Sequence, residues 1–325
     1  MSKVFFSVVA LLLAASTFLH SQNGALAIEG IVTVDEYSGE QGYYLFCPQQ
    51  KPAHPTVPVV FLHGYGGLNP MIYGKWIRHL TDNGHCVIYP RYQNKILGTS
   101  PNDFVTNTSA AIAAAYEALD SLDVLVDASS MYLIGHSYGG VISANLAANW
   151  RILRLPQPRV ALLCQPGSGP FKGGLLASYE GMDSLLHLTI IVGDHDETVG
   201  QEFGREVYES AANTPNRVLL WQYACAQDTF RVTAGHYEPY ALDLTFDNGI
   251  ENFTSRKALR VARHDHVDTE GYWKVFSLLV EKDRAGDCSQ YADGFLDRCA
   301  DLGSWPDGTG LCKMDVHYPS TGNGK

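Results

Sequence analysis

The sequence predicts an α/β fold: a mostly parallel central sheet flanked by helices, followed by a cysteine-containing C-terminal tail. Three observations predict it. Short apolar, strand-like runs alternate with helical stretches from about residue 30 to about residue 280, as in parallel strands joined by crossover helices. The apolar run 131–134 leads into Gly135-His136-Ser137-Tyr138-Gly139 and then into the helix-like stretch 141–148, which sets one G-x-S-x-G pentapeptide between a strand and a helix. Beyond residue 280 the composition turns to Asp, Gly and Cys, which suits a packed tail better than a second core.

Taken in order, residues 1–27 read as a signal peptide. Lys3 precedes an apolar stretch over 4–19, and Ala25-Leu26-Ala27 has the small-x-small cleavage form. The apolar run is short for a membrane span, and polar residues follow it. About 300 residues remain, which fits one large α/β domain as well as two smaller ones. Residues 28–285 are assigned to one such domain and 286–325 to a tail packed on it.

Residues 31–34 and 42–46 read as an opening antiparallel pair, 57–62 as the first central strand and 86–89 as the next. The alanine-rich stretch 102–122 carries Ile112, Tyr116 and Leu119 at helical spacing. After the strand and helix around Ser137, runs 160–163 and 188–192 continue the sheet, 201–212 forms a helix and 217–221 the last strand. The stretch 167–184 is Gly-rich and aperiodic, a short connection and not a large lid.

A net charge of −11 with no basic patch argues against nucleic acid or an anionic membrane as the main partner. Seven cysteines in a chain routed to an oxidising compartment imply disulfides, with one cysteine left free or paired with another chain. Cys288, Cys299 and Cys312 crowd the tail, where cross-links can replace a missing core. Cys86 and Cys164 lie in apolar strands and read as buried thiols. Asn107-Thr108-Ser109 and Asn252-Phe253-Thr254 are glycosylation acceptor tripeptides, common by chance.

The pentapeptide carries chemistry because a serine hydroxyl is a poor nucleophile unless it stands at a strand end, beside a base and above N–H donors. Gly135 and Gly139 suit a turn that brings neighbouring elements too close for a Cβ. The bland alternative, a chance motif with Ser137 only capping a helix, fits the flanking strand and helix less well.

Acid and base should follow in the order Asp/Glu, then His, each after a strand. Asp196, in Val192-Gly193-Asp194-His195-Asp196, is the preferred acid and Asp194 the runner-up. His236, in Ala234-Gly235-His236-Tyr237, is the preferred base, with His264 and His266 as rivals because loop length does not decide which imidazole reaches Ser137. The backbone amides of Tyr138 and of Tyr65, in His63-Gly64-Tyr65-Gly66-Gly67, are the candidate oxyanion donors. That glycine loop lacks the lysine and spacing of nucleotide-binding loops. The His264-Asp265-His266 spacing has no third metal ligand beside it. Tyr65, Tyr73, Trp76 and Tyr138 are candidate pocket aromatics, though such residues are more often core.

The HGYGG loop, the GHSYGG elbow, the VGDHD acid turn and the AGHY base loop occur in this order, and on them the chain resembles the α/β-hydrolase superfamily over about residues 43–280. Within it the chain looks most like the serine esterase branch of dienelactone hydrolases, chlorophyllases, platelet-activating-factor acetylhydrolases and secreted polyester hydrolases. The resemblance implies Ser137 as nucleophile, Asp196 as acid, His236 as base and the Tyr65 and Tyr138 amides as oxyanion donors. It implies a small-molecule or lipid-like carboxylic ester as substrate, with no cofactor and no metal. Serine at the elbow departs from haloalkane dehalogenases, which use aspartate, and from dienelactone hydrolases proper, which use cysteine. A long insert between His236 and the final helix near Tyr272 is a second departure. Lipases, thioesterases and peptidases share the triad, and a binding protein on the same scaffold is the non-catalytic alternative.

Overall fold

The computed structural model describes residues 26–170, 173–227, 230–287 and 291–319. The expected signal peptide, save its last two residues, and Cys288 lie outside the described residues.

Six parallel strands form the centre of a nine-stranded sheet. In chain order the strands are β1 (Ile31–Glu36), β2 (Tyr43–Pro48), β3 (Val59–Leu62), β4 (Val87–Pro90), β5 (Ser130–His136), β6 (Gln157–Cys164), β7 (His187–Gly193), β8 (Arg217–Gln222), a hairpin β9 (Cys225–Gln227) and β10 (Phe230–Val232), and β11 (Asp315–His317). Across the large sheet they run β1-β2-β4-β3-β5-β6-β7-β8-β11, with the β1–β2, β2–β4 and β8–β11 pairings antiparallel. β3, β5 and β7 are buried along their whole length, as a sheet covered on both faces requires.

Alternate residues on a strand face opposite layers. Val59, Phe61, Tyr132 and Ile134 pack into one core, and Val60, Leu62, Met131 and Leu133 into the other. The first core is covered by α1 (Gly74–Asp82), through Trp76, Ile77 and Leu80, and by α6 (Lys274–Arg284), through Phe276 and Leu279. The second is covered by α2 (Phe104–Ser121), α3 (Tyr138–Leu153) and α4 (Glu202–Ser210). Two further helices, α5 (Phe253–Val261) and α7 (Asp293–Ala300), lie in the long C-terminal half. No helix among the described residues is long and apolar enough to cross a membrane.

β4 and β5 lie on opposite sides of β3, so the chain reverses direction there, and the crevice at the C-terminal ends of β3 and β5 is a topological switch point. The HGYGG loop leaves β3 at that crevice, and Ser137 follows β5.

Several expectations change. β8 is not the last strand, because the tail adds β11 antiparallel to it, beside a Cys225–Cys312 disulfide. A three-residue strand whose one apolar residue is Val316 shows no period to read. Cys86 is not a free thiol but is bonded to Cys47, tying β2 to the start of β4. Burial, the property legible in its apolar run, is common to a thiol and a disulfide. Cys164 is a buried thiol, as expected, and Cys299 is another. The final helix is preceded by a π-helical stretch, Val267–Trp273.

Candidate active site

Ser137 stands between β5 and α3 with φ +56° and ψ −124°, a strained backbone for a residue with a Cβ. The turn is possible because α3 starts against β3: a Cβ on Gly139 would lie 2.0 Å from the Leu62 carbonyl oxygen. The strain lifts the serine hydroxyl out of the sheet end and into a cavity of about 250 Å³.

His236 Nε2 lies 2.9 Å from Ser137 Oγ, and His236 Nδ1 lies 2.8 Å from Asp196 Oδ2. All three are buried. The other oxygen of Asp196 accepts the amides of Thr198 and Val199 at 2.9 and 3.0 Å, which fixes the carboxylate plane. Burial alone raises the pKa of this carboxyl. The hydrogen bond and charge of His236, with those two amides, outweigh burial and hold it below its ordinary value, so it is ionised opposite the imidazole. The imidazole can therefore take the serine proton and remain stabilised as a cation.

The runner-up acid and the rival bases lie elsewhere. Asp194 accepts the Ala224 amide at 2.9 Å and closes the turn after β8. His264 stacks on Trp273 beside Lys75, and with His266 it lines a separate cavity of about 490 Å³ between the β9–β10 hairpin and the tail. That larger cavity contains neither Ser137 nor His236.

The HGYGG loop is held by its carbonyls. Those of residues 63–67 accept, in order, from Tyr92 Oη, from His63 Nδ1 and the Gly67 amide, from Thr254 Oγ1, from Asn252 Nδ2 and from Tyr89 Oη. Three of the loop's amides donate within the protein, Gly64 to Tyr73 Oη, Gly66 to Gln93 Oε1 and Gly67 to the Gly64 carbonyl, and Gly64 and Tyr65 line the cavity beside Ser137. Tyr138 is the first residue of α3, so its amide has no carbonyl one turn earlier.

Sequence reasoning missed a buried relay behind the serine. His136 Nε2 lies 2.8 Å from the His236 carbonyl oxygen, which only accepts, so this nitrogen carries the proton. His136 Nδ1 then accepts from Tyr73 Oη at 2.8 Å, and Tyr73 Oη accepts the Gly64 amide at 3.0 Å. Burial, and then the charge of His236, push the His136 pKa down to about 3, so the ring is neutral. The histidine inside the elbow motif was the available signal.

The aromatic expectations divide. Tyr65 and Tyr138 line the cavity with Tyr237, Tyr240 and Phe253, while Tyr73 and Trp76 are core residues packed on Phe61. Both acceptor asparagines have structural partners. Asn107 is buried in α2 and donates to the Tyr92 carbonyl, and Asn252 caps α5 while holding Gly66.

The pattern of the alpha/beta hydrolase family matches residues 59–315. No curated protein matches the chain. Among solved structures, a candidate dienelactone hydrolase from Klebsiella pneumoniae subsp. pneumoniae superposes with a TM-score of 0.52 at 14% identity, over 77% of this chain and 99% of that one. A structure from a study of two fungal esterases of Rhizomucor miehei also gives a TM-score of 0.52, at 12% identity, over 81% of this chain and 85% of its own. At such identities the likeness is one of fold.

Proposed function

Since the chain belongs to the alpha/beta hydrolase family, we propose that it is a secreted serine hydrolase cleaving carboxylic esters through an acyl-enzyme, with Ser137, Asp196 and His236 as its triad. The observation that carries the reading is the unbroken path from Asp196 Oδ2 through His236 to Ser137 Oγ, at 2.8 and 2.9 Å, opening into one cavity. Secretion is supported by the small-x-small leader pattern and by two disulfides, which fit an oxidising compartment.

Ser137 Oγ attacks the ester carbonyl carbon as His236 Nε2 takes its proton, and the carbonyl oxygen becomes an oxyanion facing the Tyr138 and Tyr65 amides. Collapse of the tetrahedral adduct breaks the bond to the alcohol oxygen, which receives the proton from His236. A water then gives its proton to His236 and attacks the acyl carbon, releasing the acid and restoring the serine. The small, mostly apolar cavity suits a short acyl or aryl ester. The test is a series of acyl esters of increasing chain length, run beside thioesters and peptide amides. Preference for short oxygen esters supports the proposal, and turnover of amides alone contradicts it.

A further inference from the structure

We propose that Lys257 makes this an esterase for substrates whose apolar body ends in a carboxylate; the inference rests on the reading of Ser137 as an esterase nucleophile. Lys257, on α5, lines the cavity, and among the described lining residues it is the one Lys or Arg, with no Asp or Glu among them. Its Nζ sits 4.9 Å above the Tyr237 ring, and no carboxylate of the described residues pairs with it. A cation half-buried against an aromatic ring has lost part of its hydration, which an anionic ligand group would replace.

The surroundings point the same way. Arg256 and Arg260 flank Lys257 on α5, Arg263 follows, and none of the three has an acidic partner among the described residues. On a chain of net charge −11, Lys257 with Arg256 and Arg260 makes α5 a local concentration of positive charge that would draw an anion, while Arg263 lines the neighbouring cavity. Ser137 and Lys257 line one cavity of about 250 Å³, so a single short ligand can engage both. Tyr65, Tyr138, Tyr237 and Tyr240 line the same cavity. The ligand class is therefore a half-ester of a short dicarboxylic acid, or an aryl ester bearing a carboxylate.

The test compares mono-p-nitrophenyl adipate with neutral p-nitrophenyl heptanoate on wild type, Lys257→Met and Lys257→Glu. The ratio of their kcat/KM values should fall about fivefold in Lys257→Met, the scale of a partly exposed ion pair, and further in Lys257→Glu. In wild type the ratio should fall with added salt. An equal ratio in all three proteins overturns the inference, while turnover of the heptanoate ester leaves the esterase reading standing. Should neither ester be turned over, calorimetry of monomethyl adipate with Ser137→Ala protein decides. Weaker binding when Lys257→Met is added supports the role of Lys257, and equal binding overturns it.

Discussion

Gly193 and Ala234 stand back to back: a Cβ on Gly193 would lie 2.0 Å from the Ala234 carbonyl oxygen. Gly193 ends β7 three residues before Asp196, and Ala234, at φ +46°, lies two residues before His236. The missing side chain thus sets how close the acid turn and the base loop come. Gly193→Ala should separate them, and since displacement of about 1 Å at a reacting group can cost about a hundredfold, kcat should fall by that order with the circular dichroism spectrum retained. A wild-type rate would mean that the two loops find their spacing elsewhere.

The relay from Gly64 through Tyr73 and His136 to the His236 carbonyl joins the HGYGG loop to the base loop beneath the serine. Tyr73→Phe leaves the Gly64 amide and His136 Nδ1 without their partner. The expected cost is about 1–3 kcal/mol of stability, read from urea unfolding. A fall of about tenfold in kcat, with KM little changed, would show that the relay positions the base.

Asp268 titrates against folding. Burial, with Asp265 and Glu238 adding to it, pushes its carboxyl up to about 8, whereas an unfolded aspartate ionises near 3.9. Between those values the folded protein holds a proton that the unfolded chain has released, so this group's contribution to stability falls as pH rises from about 4 to about 8 and is level above. One of its oxygens, Oδ1, has no hydrogen-bond partner. Asp268→Asn cannot ionise, so its Tm advantage over wild type should widen across that window, by about 2–4 °C for each kcal/mol. A constant difference with pH would contradict the assignment.

Peptide mapping without reduction should recover Cys47 linked to Cys86 and Cys225 linked to Cys312, with Cys164 unlabelled by thiol reagents until the protein unfolds. Cys312→Ser should cost about 2–5 kcal/mol, since the bond closes a long loop and sits beside the short pairing of β11 on β8.

Much of this molecule was legible in its sequence, for identifiable reasons. The central strands are fully buried, so they read as apolar runs, and the elbow is confined by glycine contacts that only its own short motif satisfies. Strand-end positions in a known order single out Ser137, Asp196 and His236 as candidates, and the fold brings the three together. What escaped depends on contacts distant in sequence. β11 gains its partner from β8, nearly a hundred residues earlier, and Cys86 finds Cys47 across the sheet. Asn252 and Thr254, legible only as an acceptor tripeptide, hold the carbonyls of Gly66 and Tyr65. The choice among His236, His264 and His266 was open because a loop's length does not state where it returns.

The central claim is that Ser137 is activated by His236, and the most direct measurement is intact mass after exposure to a fluorophosphonate, for wild type, Ser137→Ala and His236→Ala. An activated serine displaces the fluoride and keeps the phosphonyl group. A single adduct on wild type, absent from Ser137→Ala and strongly slowed in His236→Ala, is the predicted result. A folded wild-type protein that takes no adduct, or an adduct that persists in Ser137→Ala, would contradict it.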